Sequence, residues 1–225
     1  MAKFYCEPQH LVSLLGVCYH VIISSFNEVR SWWCMKKQDF NEILYKLGPI
    51  AADTYSQEIV QSFPHIKPPS IKFELCSPKH IECSTLWPDT SKSKDGYGGW
   101  SWEDIYHRSK YSSSKFVLAV FSNDQLGGIF SGKLLEKNVE LQYVQRDANC
   151  HSLKGFMIPA SITYSAILGI VMSREVLTVC EPAPAIVDRY GKSMKGSVTY
   201  VYSKEGNVLR MSVPVDEVVA TPSTD

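Results

Sequence analysis

The sequence predicts an α/β protein in which helices flank a mixed sheet, preceded by a helical N-terminal region. Three observations lead there. Hydrophobic periodicity changes near residue 70, from helical spacing to strand alternation. Three strand-like runs then follow one another across short polar links, which requires an antiparallel meander. A long apolar stretch separates that meander from a further strand, as a crossover helix does.

Composition narrows the function classes. The 225 residues fit one large domain, or one domain plus an appendage, with a core that needs no staples. Lys plus Arg number 23 and Asp plus Glu number 23. Without a basic excess, wholesale binding to nucleic acid or an anionic membrane surface is not expected. The 7 cysteines are odd in number and irregular in spacing, which reads as reduced thiols of a cytoplasmic protein. Cys76, His80 and Cys83 are metal-capable, yet they form no C-x-x-C knuckle and lack a clear fourth ligand. No metal site is expected. The apolar run Leu11 to Phe26 is shorter than the roughly 20 residues a membrane span needs, and no signal-type cleavage site follows it. A buried helix is the expectation.

The elements follow in order. Leu11 to Asn27 reads as a helix. Asp39 is placed to cap a second, "FNEILYKL", which stops at Gly48-Pro49. "IAADTYSQEIVQSF" reads as a third, ended by Pro64, Pro68 and Pro69. "IKFELCS" alternates as a strand does. "WPDTSKSKDGYGGWS" is a polar, Gly-rich loop. Ser101, followed by Glu103 and Asp104, opens a short helix with acids in its first turn. "KFVLAVF", "LGGIFSGKLL" and "VELQYVQ" are the meander, with "SNDQ" and "EKN" as hairpin links. A helix from about Phe156 to Val171 tolerates Pro159 in its first turn. "EVLTVCE" is a buried strand and "APAIVDRYGKS" a short helix. "GSVTYVYS" and "NVLRMSVP" close the fold as a hairpin, and "ATPSTD" is a tail.

One junction carries chemistry. "SLKGFM" (Ser152 to Met157) joins the meander to the long apolar helix. The first N–H groups of a helix lack internal partners and carry partial positive charge. A glycine just before them lets backbone approach a bulky anion. Gly155 is therefore either the pivot of an ordinary strand-to-helix turn or part of a diphosphate seat.

The order of elements from about residue 70 to 213 resembles the GCN5-related N-acetyltransferase superfamily. "SKFVLAVFSNDQLGGIFSGKL" is similar to that family's central hairpin, and "VELQYV" to its fourth strand. "SLKGFM" stands where the family has its cofactor-binding turn, with Gly155 kept. "VDRYGKSM" stands at its helix-borne tyrosine. The resemblance implies a GNAT-like sheet whose fourth and fifth strands splay apart. It implies acetyl-CoA, or another acyl-CoA, with the pantetheine arm paired to Tyr143, Val144 and Gln145. The diphosphate would lie on the turn formed by Ser152, Leu153, Lys154, Gly155, Phe156 and Met157, with Leu153 to Met157 offering N–H groups. Tyr190 becomes the candidate acid for the departing thiolate. Glu140, a carboxylate in a strand that otherwise reads as core, becomes the candidate base.

The expected protein is an acyl-CoA-dependent N-acyltransferase acting on an unidentified amine. The alternative is a fold relative without catalysis that binds or regulates. Residues 1–67 form the helical N-terminal region, 68–216 the acyltransferase domain and 217–225 a flexible tail. Capping the sheet, shaping the acceptor pocket and binding a partner, a second copy included, are the roles open to the N-terminal helices. Trp100 and Trp102, flanking the Gly-rich loop, are expected to pack or to cover the acceptor cleft.

Overall fold

The computed structural model describes residues 35–88 and 99–219. The expected helix at residues 11–27, most of the Gly-rich loop and residues 220–225 of the expected tail lie outside them. The first element, α1 (Lys37–Ser62), is one helix of 26 residues, where the sequence suggested two broken at Gly48-Pro49. Packing explains the difference. Pro49 lies on the exposed side of α1, where the carbonyl it deprives of a partner can bind water. On the other side, Gly48 lets α1 approach the β1 backbone, since a Cβ there would lie 2.8 Å from the Phe73 carbonyl oxygen. Asp39 sits in the first turn and Lys36 at the cap.

After α1 come β1 (Ile71–Leu75), α2 (Pro78–Ser84), α3 (Trp102–Ser109), β2 (Lys115–Ser122), β3 (Gln125–Leu134) and β4 (Asn138–Arg146). The second half holds α4 (Met157–Val171), β5 (Val176–Cys180), α5 (Val187–Met194), β6 (Thr199–Tyr202), β7 (Val208–Pro214) and α6 (Val215–Val219). Two of these were unforeseen: α6, whose buried Val218 places residues 217–219 in the fold where a flexible tail was expected, and α2. Its Ser77 and His80 cap each other reciprocally, and Pro78 fits the first turn.

The strands form one seven-stranded sheet in the order β1-β2-β3-β4-β5-β7-β6. The β4–β5 pair is parallel, and the remaining neighbours are antiparallel. Asn123 and Asp124 take positive φ of 51° and 61°, the geometry of a tight hairpin turn, and join β2 to β3. This is the mixed sheet flanked by helices that the sequence predicted.

Two apolar layers sandwich the sheet. Ile81, Trp102 and Ile105 of α2 and α3 pack on Val117 and Ile129 on one face. The other face carries the larger core, built from α1, α4, α5 and α6. Helix α4 is apolar nearly all round because α1 covers the side turned away from the sheet. Its Tyr164 is fully buried, and the hydroxyl donates to the Leu44 carbonyl of α1 at 2.7 Å. The described part of the N-terminal region thus shares one core with the sheet.

Candidate active site at the β4–β5 fork

Strand β4 parts from β5 halfway along its length. Their ladder runs from Asn138↔Val176 to Leu141↔Val179 and stops, while β4 continues to Arg146. Three local features open this fork. Gln142 is an extra residue in β4, because Ser131 pairs with Tyr143 but Gly132 pairs with Leu141; such a bulge bends the strand. Beyond Cys180, Glu181 takes a φ of +45° and gives its N–H to the Leu209 carbonyl at 2.8 Å, so the chain follows β7 away from β4. Pro182 and Pro184 then have no N–H with which to rejoin a ladder.

The lead-in to α4 is held at the mouth of this fork. Arg146 Nη1 donates to the carbonyls of Asp147, Ala148 and Cys150 at 2.7, 3.2 and 2.8 Å. One guanidinium thereby gathers three carbonyls of the link between strand and helix into a compact turn. Gly127 and Gly128 of β3 make room for it: a Cβ at either would meet Cys150 and Leu153, or Met157, at 2.5–2.8 Å. Cys150 and Leu153 are buried beneath the turn.

The turn offers fewer free donors than the sequence suggested. Leu153, Lys154 and Phe156 give their N–H groups to the carbonyls of Cys150, His151 and Leu153. The short 3-10 segment His151–Leu153 consumes them locally. The expectation of N–H groups throughout Leu153 to Met157 is therefore corrected. At the helix itself, Phe156 is the N-cap residue and provides no side-chain cap. Met157 and Ile158 have no acceptor within α4, and Pro159 has no N–H. Gly155 has a φ of +86° with nothing within 4 Å of where a Cβ would stand, so the backbone there is open to a ligand.

The remaining site residues divide between the faces. Val139 and Leu141 belong to the large core, so Glu140 projects to the opposite face. It is 3 % exposed, lies 3.0 Å from Lys133 Nζ and accepts from Gln142 Nε2 at 3.3 Å. Glu140 is the last outward residue before the fork opens. Beside it, burial first and the Glu140 carboxylate second push the Cys180 thiol up to about 11. Tyr143 and Gln145 turn the same way. Tyr143 stacks edge-on against Trp100 at 5.6 Å, and the Gln145 side chain accepts from the Trp102 indole. Trp87, Trp100, Trp102 and Gln145 border a cavity of about 240 Å³ on this face. Val144 packs into the large core. Ser152 Oγ lies 3.4 Å from Cys150 Sγ, and Lys154 is exposed.

Tyr190 is on the other face, 6 % exposed within the large core, and burial raises its phenol far above the ordinary range. It does not share a cavity with Glu140; the two approach the sheet from opposite sides. Sequence reasoning missed Arg146, Lys133 and Gln142. Among them only Lys133 had a legible signal, a charge facing Glu140 across an expected hairpin. Among the described residues no cluster of His, Cys, Asp and Glu is arranged to hold a metal, and no helix is long and apolar enough to cross a membrane.

No family model matches the sequence, and no curated protein matches it. Solved structures do overlap the fold. The N-acetyltransferase PseH of Campylobacter jejuni, in complex with acetyl coenzyme A, is 15% identical over 64% of this chain and 98% of its own, with a TM-score of 0.44. A mutant of the spermidine N-acetyltransferase SpeG of Vibrio cholerae is 9% identical over 67% and 96%, with a TM-score of 0.48. The PaiA N-acetyltransferase of Thermoplasma acidophilum, in complex with coenzyme A, is 13% identical over 64% and 99%, with a TM-score of 0.43. At such values these overlaps carry no argument about this chain.

Proposed function

We propose that this chain is an acyl-CoA-dependent N-acyltransferase, with acetyl transfer to an amine as its simplest reaction. The observation that carries the reading is the fork, where β4 runs on to Arg146 after its ladder with β5 has ended. A pantetheine arm presents amide donors and acceptors as a peptide does, so an unpaired parallel-strand edge complements it. The uncapped start of α4 and the open Gly155 suit a diphosphate at the mouth of the fork. The choice of coenzyme follows the resemblance in element order and turn. Free thiols at Cys76, Cys83, Cys150 and Cys180 accord with a reducing, cytoplasmic setting.

Bound there, acyl-CoA would supply an activated thioester carbonyl. The chain does the rest. Backbone groups of Tyr143, Val144 and Gln145 align the arm. Gly155, Met157 and the residue after it receive the diphosphate, while Ser152 and Lys154 add a hydroxyl and a charge. Leu153 and Phe156 shape the turn. Glu140, at the root of the fork, takes the proton of the incoming amine. As the C–S bond breaks, Tyr190 would give its proton to the coenzyme thiolate and be reprotonated from solvent, with burial making its phenol the weaker acid. Trp100 and Tyr143 wall the side from which the amine arrives.

Titration calorimetry with acetyl-CoA tests the seat. Wild type should bind it in the micromolar range. Gly155→Glu should weaken binding by about 100-fold, combining a side chain forced into positive φ with a carboxylate beside the diphosphate. Absence of binding to wild type at millimolar coenzyme would overturn the proposal.

A second reading is a coenzyme-binding regulator without turnover. The engagement of Glu140 by Lys133 at 3.0 Å favours it, since the carboxylate assigned to receive the amine proton already has a partner. Coenzyme binding with no thiol release across a panel of amines would select this reading.

A further inference from the structure

A second cavity lies behind the α4 turn. It encloses about 630 Å³, between the C-terminal half of α1, the start of α4 and the end of α5. That volume is in the range of small-molecule sites. Its walls are mostly apolar, with Tyr55, Ile59, Phe156, Pro159 and Val219 among them. It contains neither Glu140 nor Tyr190, nor any residue of β4 or β5, and it meets the α4 turn at Gly155 and Phe156.

Its charges are specifically arranged. Glu58 is the acid in the lining. Lys195 Nζ stands 3.0 Å from its Oε1, and Thr163 Oγ1 donates to its Oε2 at 3.3 Å. Burial raises this carboxyl above its ordinary range, more than Lys195 lowers it. The Lys195 backbone takes φ 62° and ψ −51°, closing a γ-turn of the rarer, strained hand in which the Gly196 N–H donates to the Met194 carbonyl at 2.7 Å. A non-glycine residue in such a turn costs stability, and here it delivers an ammonium to a half-buried carboxylate. Lys192 also borders the cavity and has no ion-pair partner among the described residues. The pair of Glu58 and Lys195 is internally neutral, so the net charge offered to an occupant is the positive charge of Lys192.

We infer that this cavity, which adjoins the α4 turn and extends away from the fork, is a ligand site for an amphipathic monoanion, an apolar chain or ring system ending in a carboxylate. The apolar body lies against Tyr55, Ile59, Phe156 and Pro159, and the head group meets Lys192 at the rim. A cationic ligand would face Lys192 with like charge. A neutral one would leave it without a counter-charge.

The inference does not depend on the transferase reading. It is tested with dodecanoate as the probe, displacing 1-anilinonaphthalene-8-sulfonate followed by fluorescence. Wild type should bind dodecanoate at micromolar concentration and dodecanol at least ~10-fold more weakly, as loss of a charge-assisted contact predicts. Lys192→Met should weaken dodecanoate by about 10-fold and leave dodecanol unchanged. Thr54→Trp, which fills the cavity from a half-buried helical position, should block both. Equal binding of dodecanoate and dodecanol, or no dodecanoate binding below its solubility limit, would overturn the inference even if a variant failed to fold. Competition between acetyl-CoA and dodecanoate would overturn it too, because the cavity would then belong to the coenzyme. Dodecanoate binding without acetyl-CoA binding would sustain the inference while removing the transferase reading.

Discussion

The two halves of β4 differ in what their neighbours allow. From Asn138 to Leu141 the strand is bonded on both sides; from Gln142 to Arg146 it is bonded to β3 alone. Polar and apolar residues alternate from Asn138 to Leu141, whereas beyond the inserted residue Tyr143-Val144 and Gln145-Arg146 break the alternation. The difference comes from one inserted residue at Gln142 and from Glu181, whose positive φ redirects the neighbouring strand. A closed ladder stabilises the sheet and fixes Glu140 rigidly. An open edge leaves backbone groups for a ligand to satisfy. A functional site arises where the closed half ends.

Substitutions in each half should have separable consequences. The largest effect is expected in the closed half. Glu140→Gln should lower turnover by about 1000-fold, the scale of general base catalysis, with coenzyme affinity unchanged in calorimetry. Equal losses in affinity and turnover would mean that Glu140 serves the sheet through Lys133 and takes no proton. At the tip of the open half, Arg146→Leu releases three carbonyls from one guanidinium. It should cost about 3 kcal/mol in denaturant unfolding and abolish coenzyme binding, because the turn it folds is the seat. Unchanged binding would place the seat elsewhere.

A smaller effect is expected across the sheet. Tyr190→Phe should reduce turnover by about 10-fold while leaving the thermal midpoint close to wild type, since the ring keeps its packing. Turnover at the wild-type level would leave Tyr190 as a core residue. The smallest effect concerns stability away from β4. Glu58 has a carboxyl raised by burial, so the folded state favours its protonated form. Its contribution is full below the ordinary carboxyl value and declines as pH climbs through the raised one. Glu58→Gln removes that decline. Between pH ~4 and pH ~7 its thermal midpoint should gain a few degrees on wild type. A constant difference across that range would contradict the assignment.

Local chemistry was legible in the sequence and long-range chemistry was not. Asn123-Asp124 marked its hairpin and Ser101 its helix start, because each works on backbone a few residues away. The apolar run of α4 declared its burial, although the helix that covers its far side lies some hundred residues earlier in the chain. Pro49 misled because helix interruption depends on which side of α1 meets water. Gly155 was visible as a pivot, but the fate of the N–H groups around it depended on Cys150 and His151 folding into a 3-10 turn. The bulge at Gln142 had no signal of its own, since an inserted residue becomes evident only against the pairing strand. Glu58 and Lys195 meet across most of the chain, and nothing near either residue announces the other.

The claim that the upper edge of β4 receives a coenzyme arm is tested most directly by amide hydrogen exchange, with and without acetyl-CoA. Amides from Gln142 to Arg146 that are not already given to β3, and those of Gly155, Met157 and Ile158, should slow on addition of coenzyme, while those from Asn138 to Leu141, already paired on both sides, should stay as they were. Coenzyme binding without slower exchange at Gln142 to Arg146 would contradict the account.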